Sequence, residues 1–167
     1  MTMYHNQRPR RLTVADYIAL GETEHGHTEL QEGILQESPS STPDHQAAIG
    51  AFYRQIGPQL PEHLELIYGV DVDLELAPPD RPGFVRRPDF IIVPRSACPP
   101  DDRLIRAADV LVVIEFVSPC SRRLDHVIKR GEYVDAGIPH YWIIDLDKPR
   151  SIVVSELDDR DRDGQAR

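Results

Sequence analysis

Residues 110–145 read VLVVIEFVSPCSRRLDHVIKRGEYVDAGIPHYWIID, and this stretch decides how the chain folds. Its first part, residues 110–117, is apolar at every position except one, which is typical of a central strand covered on both faces. A helix is predicted over residues 121–136, because Gly137 and Pro139 follow it as stop signals. Residues 140–145 form a second apolar run. The stretch therefore predicts a buried strand, a helix and another buried strand.

The exception in the first strand is Glu115. A bare carboxylate inside a sheet costs several kcal/mol unless it is paired, protonated or bound to a metal. Two interpretations follow. Glu115 is either a functional carboxylate or a structural one that forms a buried ion pair with an arginine.

The rest of the chain has the patterns of two further helices and several strands. Helices are predicted over residues 14–20, capped by Thr13, and over residues 44–56, where His45 lies one turn before Ile49 on the inward face. Strands are predicted over residues 33–37, 64–76, 84–93 and 152–156, and a helical turn over residues 103–107. Pro88 inside the strand 84–93 indicates an edge, a bend or a bulge.

Composition and charge limit the class of protein. No apolar run approaches the roughly 20 residues of a membrane span, and two cysteines suggest a reducing cytoplasm rather than a disulfide framework. The net charge of −9 argues against a broad, non-specific grip on nucleic acid. We expect a loose basic arm over residues 1–12, a single domain over residues 13–156 and a disordered acidic tail over residues 157–167.

The acidic residues of the chain favour a metal site. Asp89 follows Pro88 in one predicted strand and Glu115 lies near the end of another. If these strands are neighbours, the two carboxylates and a backbone carbonyl, that of Phe116, could bind one Mg²⁺, which prefers oxygen ligands. Such an ion can generate a hydroxide and neutralise the charge of a phosphodiester.

Lys129 is the candidate cation of this site. The chain has only two lysines against 17 arginines, and a compact ammonium suits a single phosphate or water better than the arginine fork does. The alternative is an exposed lysine paired with Asp125 one turn away. We expect the helix to bury one face and to carry Lys129 at its border; that face consists of Leu124, Val127, Ile128, Gly131 and Val134.

Several motifs together resemble the Uma2 family of restriction endonucleases. They are Arg87-Pro88-Asp89, the sequence IEFVSP at residues 114–119, Asp125 with Lys129 and Tyr133, and AGIPHYW at residues 136–142. The family is similar to the PD-(D/E)xK nucleases, so the resemblance implies an α/β (α+β) fold with a mixed β-sheet core flanked by helices. It also implies metal ligation by Asp89 and Glu115, a lysine supplied by the helix, an additional acid at Glu29 and a possible accessory role for His45.

The resulting hypothesis is a metal-dependent endonuclease that hydrolyses DNA with Mg²⁺, or Mn²⁺ as a substitute, and forms a homodimer. Five arginines could line a phosphate-binding groove or simply form a solvated basic face: Arg86, Arg87, Arg122, Arg123 and Arg130. Two other functions remain open. One is a catalytically inactive nuclease fold that serves as a binding or assembly module, and the other is a metal hydrolase of another substrate built around His45.

Overall fold

The computed structural model describes residues 10–21, 27–37, 42–98, 104–117 and 122–157. The strands of this part of the chain form two five-stranded sheets. The first, here called the N-terminal sheet, has short strands in the order β2 (Ile34–Glu37), β1 (Thr28–Gln31), β5 (Val85–Arg86), β4 (Val72–Asp73) and β7 (Ile105–Arg106). Its neighbours are antiparallel except for β4 and β7.

The second, here called the central sheet, has the order β10 (Ser151–Glu156), β9 (His140–Asp145), β8 (Val112–Val117), β6 (Phe90–Pro94) and β3 (Leu64–Tyr68). Only β8 and β9 run parallel, as the strand–helix–strand pattern requires. The register places Glu115 opposite Ile143, and Ile143 opposite Val153. One straight line of residues therefore crosses from β8 to the edge of the sheet.

Three helical segments accompany the sheets in the described residues. Helix α1 (Val14–Leu20) begins at Thr13, which forms a capping box with Asp16. Helix α2 (Pro43–Ile56) begins at Thr42, whose hydroxyl accepts from the amide of His45. The third starts as a π-helix (Leu124–Lys129) and continues as α3 (Arg130–Asp135). Short 3₁₀ turns occupy Gly57–Gln59, Arg95–Ala97 and Ala107–Asp109.

The central sheet is covered on both faces, because apolar side chains alternate along its strands. Helix α2 packs on one face, where Ile49 and Phe52 meet Phe90 and Phe116. The other face packs against α3 and the N-terminal sheet through a second cluster that includes Val72, Ile91, Val113, Tyr133 and Tyr141. This arrangement confirms the mixed sheet core flanked by helices. None of the described helices is long and apolar enough to cross a membrane.

Two predicted strands, 64–76 and 84–93, are each divided between the two sheets. The first leaves the central sheet at Gly69, whose φ of 59° lies in the left-handed region that glycine tolerates, and continues as β4. The second returns to the central sheet between β5 and β6, across Arg87, Pro88 and Asp89. Of the three possibilities that Pro88 indicated, the bend is confirmed, and it places Asp89 between the sheets.

The predicted inward face of the third helix is partly wrong. Val127 and Ile128 are 51% and 38% exposed, whereas Asp125 and Lys129 are buried. The physical reason is the π-helix, whose i→i+5 hydrogen bonds place more residues in each turn and so change which side chains share a face. Val134, which lies in the regular helix that follows, is buried as expected.

Smaller differences concern a loop and the chain ends. The predicted helical turn over residues 103–107 is wrong where the structure describes it, because Ile105 and Arg106 form β7. Leu12, the last residue of the predicted loose arm, donates its amide to Gly33 and accepts from Gly83. Leu157, the first residue of the predicted tail, donates to Pro139. Residues 1–9 and 158–167 lie outside the described residues.

Candidate active site

Glu115 lies inside β8 with its side chain on the face that carries Val113 and Val117, and it is 5% exposed. Its Oε1 atom accepts hydrogen bonds from Lys129 Nζ at 2.9 Å and from the hydroxyl of Tyr133 at 3.0 Å. The partner of the buried carboxylate is therefore a lysine from the following helix, and the proposed ion pair with an arginine is not formed.

Lys129 lies among carboxylates from three different elements. Its Nζ atom is 2.9 Å from Glu115, 3.1 Å from Glu29 on β1 and 3.7 Å from Asp125 on the π-helix. The residue is only 6% exposed. This burial rules out the alternative of a solvent-exposed lysine paired with Asp125 alone. The N-terminal sheet, the central sheet and the third helix thus meet at one ammonium group.

Arg86 forms an ion pair with Glu29 of this cluster, and its side chain has no solvent exposure. Its guanidinium donates to Glu29 at 2.9 Å and to both carboxylate oxygens of Glu132 at 2.6 and 2.8 Å. Glu29 also accepts from the amide of Arg87 at 3.0 Å. Among the described residues, no buried side-chain nitrogen or oxygen lacks a hydrogen-bond partner. The buried hydrogen-bonding atoms of the cluster are therefore all satisfied.

Asp89 approaches the cluster from the bend before β6. Its Oδ2 atom accepts from the amide of Phe116 at 2.7 Å, and its Oδ1 atom lies 3.1 Å from His45 Nε2. Phe116 directly follows Glu115, so the two acids lie beside the same short stretch of β8. Because the amide and the carbonyl of a strand residue project toward the same neighbour in an antiparallel pair, the carbonyl of Phe116 faces the Asp89 side as well.

Burial and neighbouring charges shift the pKa values of two acids in the cluster, Glu115 and Glu29. Burial, together with the charges of Asp89, Asp125 and Glu29, raises the pKa of Glu115 to about 8 even though Lys129 opposes the shift. Burial also acts to raise the pKa of Glu29, but Lys129 and Arg86 outweigh it and hold that pKa below its ordinary value. In the metal-free protein, Glu115 therefore retains a proton near neutral pH.

Neighbouring carboxylates raise the pKa values of Lys129 and His45. Burial acts to lower the pKa of Lys129, but the carboxylates of Glu115, Glu29 and Asp125 raise it, so the ammonium stays charged. The hydrogen bond to Asp89 is the largest cause that raises the pKa of His45, while its partial burial works against this. His45 thus prefers the imidazolium form more strongly than a free histidine.

The arginines predicted to bind phosphate differ in their environments. Arg87 forms a two-point ion pair with Asp71 at 2.6 and 2.7 Å and also contacts the ring of His27. Arg122 is 48% exposed and lies 2.9 Å from both Asp145 and Asp147. Arg123 is exposed and Arg130 is half-buried, next to the π-helix. Arg87 and Arg122 are thus engaged with neighbouring carboxylates.

The sequence did not predict that Arg86, Glu132 and Tyr133 would lie in this cluster, although Tyr133 belongs to one of the motifs that resemble the Uma2 family. Tyr133 could have been found from its spacing, since it follows Lys129 by four residues on the same helix. The sequence predicted Arg86 in a phosphate-binding groove or on a solvated basic face, and both interpretations are wrong, because its side chain has no solvent exposure. Arg86 precedes Arg87 directly, and only the bend after β5 turns one arginine into the core and leaves the other 21% exposed.

The candidate metal ligands predicted from the sequence are the carboxylates of Asp89 and Glu115 and the carbonyl of Phe116. Within the described residues, no group of three or more His, Cys, Asp or Glu side chains is arranged to hold a metal ion. Two carboxylates and one backbone carbonyl remain as candidate ligands, and all three are the hard oxygen donors that Mg²⁺ prefers.

Comparison with known proteins agrees with the geometry. Residues 14–163 match the model of the Uma2 family, whose description is "Putative restriction endonuclease". The chain belongs to the Uma2 family. Membership indicates a nuclease, and it confirms the resemblance carried by the motifs around Asp89, Glu115 and Lys129.

A solved structure similar to this chain is described as a "putative nuclease belonging to DUF820" from Anabaena variabilis. The two structures superpose with a TM-score of 0.66 at 18% sequence identity, over 87% of this chain and 80% of the other. At this identity the likeness establishes the shared fold. A search of curated proteins found no match.

Proposed function

We propose that this Uma2 protein is a metal-dependent endonuclease that hydrolyses phosphodiester bonds of DNA. The observation that carries the proposal is the buried Glu115–Lys129 pair, 2.9 Å between Oε1 and Nζ, together with the Asp89 carboxylate, which accepts from the amide of the next residue, Phe116. Burying three carboxylates around one lysine is costly and contributes little to stability on its own. Ionisable groups with strongly shifted pKa values are concentrated in functional sites.

The donor set fits Mg²⁺, with Mn²⁺ as a substitute. Asp89 and Glu115 would supply carboxylate oxygens and Phe116 its carbonyl, leaving the remaining positions to water, which Mg²⁺ commonly retains. When bound, the ion would provide Lewis acidity that activates water and neutralises phosphate charge. Its positive charge would also favour the ionised form of Glu115, which otherwise keeps a proton near neutral pH.

The chain's own residues then have separate tasks. Lys129 would stabilise the attacking water or the charge that develops on the phosphate, and Glu29 would hold the ammonium in place from the opposite side. His45 would orient Asp89 through the contact at 3.1 Å. Arg122 and Arg123, at the exposed start of the third helix, would bind phosphates, as would Arg87 and Arg130 once displaced toward the substrate.

The test is cleavage of supercoiled and linear duplex DNA with Mg²⁺ or Mn²⁺. Lys129→Ala should lose activity by roughly 100-fold to 1,000-fold, because one positioned charge donor is removed. Glu115→Gln and Asp89→Asn should abolish cleavage and also the heat of Mn²⁺ binding in calorimetry. Lys148→Ala, at the other lysine of the chain and exposed, is the matched control and should cleave like the parent.

A second candidate function is a binding or assembly module that retains the nuclease fold without catalysis. It is favoured by the fact that the oxygens of Asp89 already accept from Phe116 and contact His45, while Oε1 of Glu115 has two donors. The net charge of −9 points the same way. Absence of cleavage by the parent with both metals, together with retarded migration of duplex DNA in a mobility-shift assay, would favour this second function over the first.

A further inference from the structure

Within the described residues, the strand at one edge of the central sheet, β10, is apolar and has no neighbour on its outer side. β10 has β9 as its neighbour on one side and ends the strand order on the other. Three consecutive residues, Ile152, Val153 and Val154, are 63%, 47% and 61% exposed, so apolar side chains project from both faces. The pairing with β9 runs without a bulge from Ser151 to Glu156. An edge strand of this kind is a template for pairing with another strand.

An occupant of this edge would pair with the backbone of β10 and cover the exposed side chains of Ile152, Val153 and Val154.

We propose that a second copy of the chain pairs with β10 in antiparallel orientation, with the two-fold axis at Val153. In this register Val153 faces its own copy, Ile152 faces Val154, and Ser151 faces Ser155. Arg150 faces Glu156 on both sides of the axis. The edge is thus complementary to itself, which is the condition for an isologous two-fold interface.

Neighbouring registers lack this complementarity. With the axis at Val154, Ile152 would face Glu156, and with the axis between Val153 and Val154, Ile152 would face Ser155. Only the register centred on Val153 pairs apolar with apolar and basic with acidic residues, the combinations that stabilise cross-strand pairs. Arg150 and Glu156 are both exposed, and neither forms an ion pair with another residue of the described chain. The two central sheets would join into one continuous sheet.

The first test is the mass of the full chain in solution by light scattering. The parent should have twice the monomer mass of 19.0 kDa at micromolar concentration. Arg150→Glu or Glu156→Arg alone sets like charges opposite each other twice per dimer and should weaken association by about tenfold or more. The double variant, Arg150→Glu with Glu156→Arg, should restore it. Arg54→Glu makes the same charge change on α2 and should have no effect.

The second test fixes the register through disulfide formation. Val153→Cys places two thiols opposite each other with Cα atoms about 5 Å apart, so oxidation should give a covalent dimer on a non-reducing gel. Ser151→Cys is the matched control, since its two copies would lie about 13 Å apart, four residues along the strands. The parent, with its native cysteines, should not crosslink.

Three results would overturn the proposal: a parent particle of 19.0 kDa up to about 100 µM, single charge variants that associate like the parent, or equal crosslinking at positions 151 and 153. Because the substituted side chains are exposed, circular dichroism should show parent-like folding of every variant. The proposal does not depend on nuclease activity, so a dimer without cleavage would still support it.

Discussion

The ammonium group of Lys129 lies among more negative charge than it can neutralise. Glu29, Glu115 and Asp125 all lie within 3.7 Å of it. Arg86 compensates Glu29 from the other side, and Glu115 responds by retaining a proton up to a pKa of about 8. The resting cluster is therefore close to electrically balanced, and a bound cation would change that balance chiefly at Glu115.

Removing the lysine should destabilise the metal-free protein. Lys129→Met keeps the volume of the side chain but leaves buried carboxylates without their shared partner, so the free energy of unfolding should fall by about 3–5 kcal/mol. Urea denaturation in EDTA measures this value. Lys148→Met, at an exposed site, should stay within about 0.5 kcal/mol of the parent. Equal stability of the two variants would contradict the structural role assigned to Lys129.

The shifted pKa of Glu115 predicts a pH dependence with a definite sign. Between its ordinary value of 4.5 and about 8, the folded protein holds a proton that the unfolded chain has lost. The contribution of Glu115 to stability is thus present at low pH and is lost as the pH rises toward 8. Glu115→Gln lacks this titration, so its stability relative to the parent should increase from pH 5 to pH 8.

Denaturation of both proteins in EDTA at several pH values provides the measurement. Comparing the variant with the parent removes the contribution of the titrating groups that do not interact with Glu115. A difference in stability that stays constant between pH 5 and pH 8 would show that Glu115 titrates in the folded protein as it does in the unfolded chain.

Some residues of the cluster could be predicted from the sequence, and others could not because their burial depends on tertiary contacts. Glu115 was conspicuous because an acid in an apolar run has few explanations, and Lys129 because lysine is rare in this chain. Arg86 and Glu132 lie in polar surroundings in sequence. Their burial depends on the contact between β5 and the third helix, which no local pattern reveals.

Among the elements, the π-helix has the largest effect on the site. It rotates Asp125 and Lys129 inward and turns Val127 and Ile128 toward solvent. A regular helical pattern assigns the apolar residues to the core, and so the sequence predicted the opposite face. Single π-helical turns within α-helices are frequent at functional sites, and here the segment supplies the charged residue that the strand motif lacks.

This exchange of faces predicts unequal effects of two identical substitutions. Val127→Ala should change the free energy of unfolding by less than about 0.5 kcal/mol, because the side chain is half exposed. Val134→Ala, on the same helical segment but 5% exposed, should cost about 2 kcal/mol. Urea denaturation of the pair checks this. A larger loss of unfolding free energy for Val127→Ala than for Val134→Ala would indicate that Val127 faces the core, as a regular α-helix would place it.

The bends at Gly69 and Pro88 explain why strand boundaries were harder to predict than strand existence. Apolar residues lie on both sides of each bend, because the strands before and after it contribute buried side chains to different sheets. Pro88 signalled an irregularity without fixing its direction. The position of Asp89 at the site depends on this bend, which carries the chain from β5 back to the central sheet.

For the whole molecule, Arg86 joins the N-terminal sheet to the third helix. Arg86→Met would leave Glu132 without a buried partner and Glu29 with less compensation, so we expect a loss of about 3–5 kcal/mol in unfolding free energy. Arg106→Met removes an arginine that is 63% exposed and paired with Glu75, and should lower the unfolding free energy far less, because solvent screens an exposed ion pair. Similar losses of unfolding free energy for the two variants would show that Arg86 does not stabilise the contact between the N-terminal sheet and the third helix.

Glu115, Ile143 and Val153 lie side by side on three neighbouring strands. A molecule paired along β10 is therefore held at a distance from Glu115 that the number of strands determines. Two copies joined at Val153 would place their Glu115 residues five strand spacings apart, about 24 Å along one face of a continuous sheet. The continuous sheet would therefore fix the distance between the two sites. In an enzyme that cuts both strands of a duplex, the stagger between the cuts would then depend on the hydrogen-bond register and would not change with loop length.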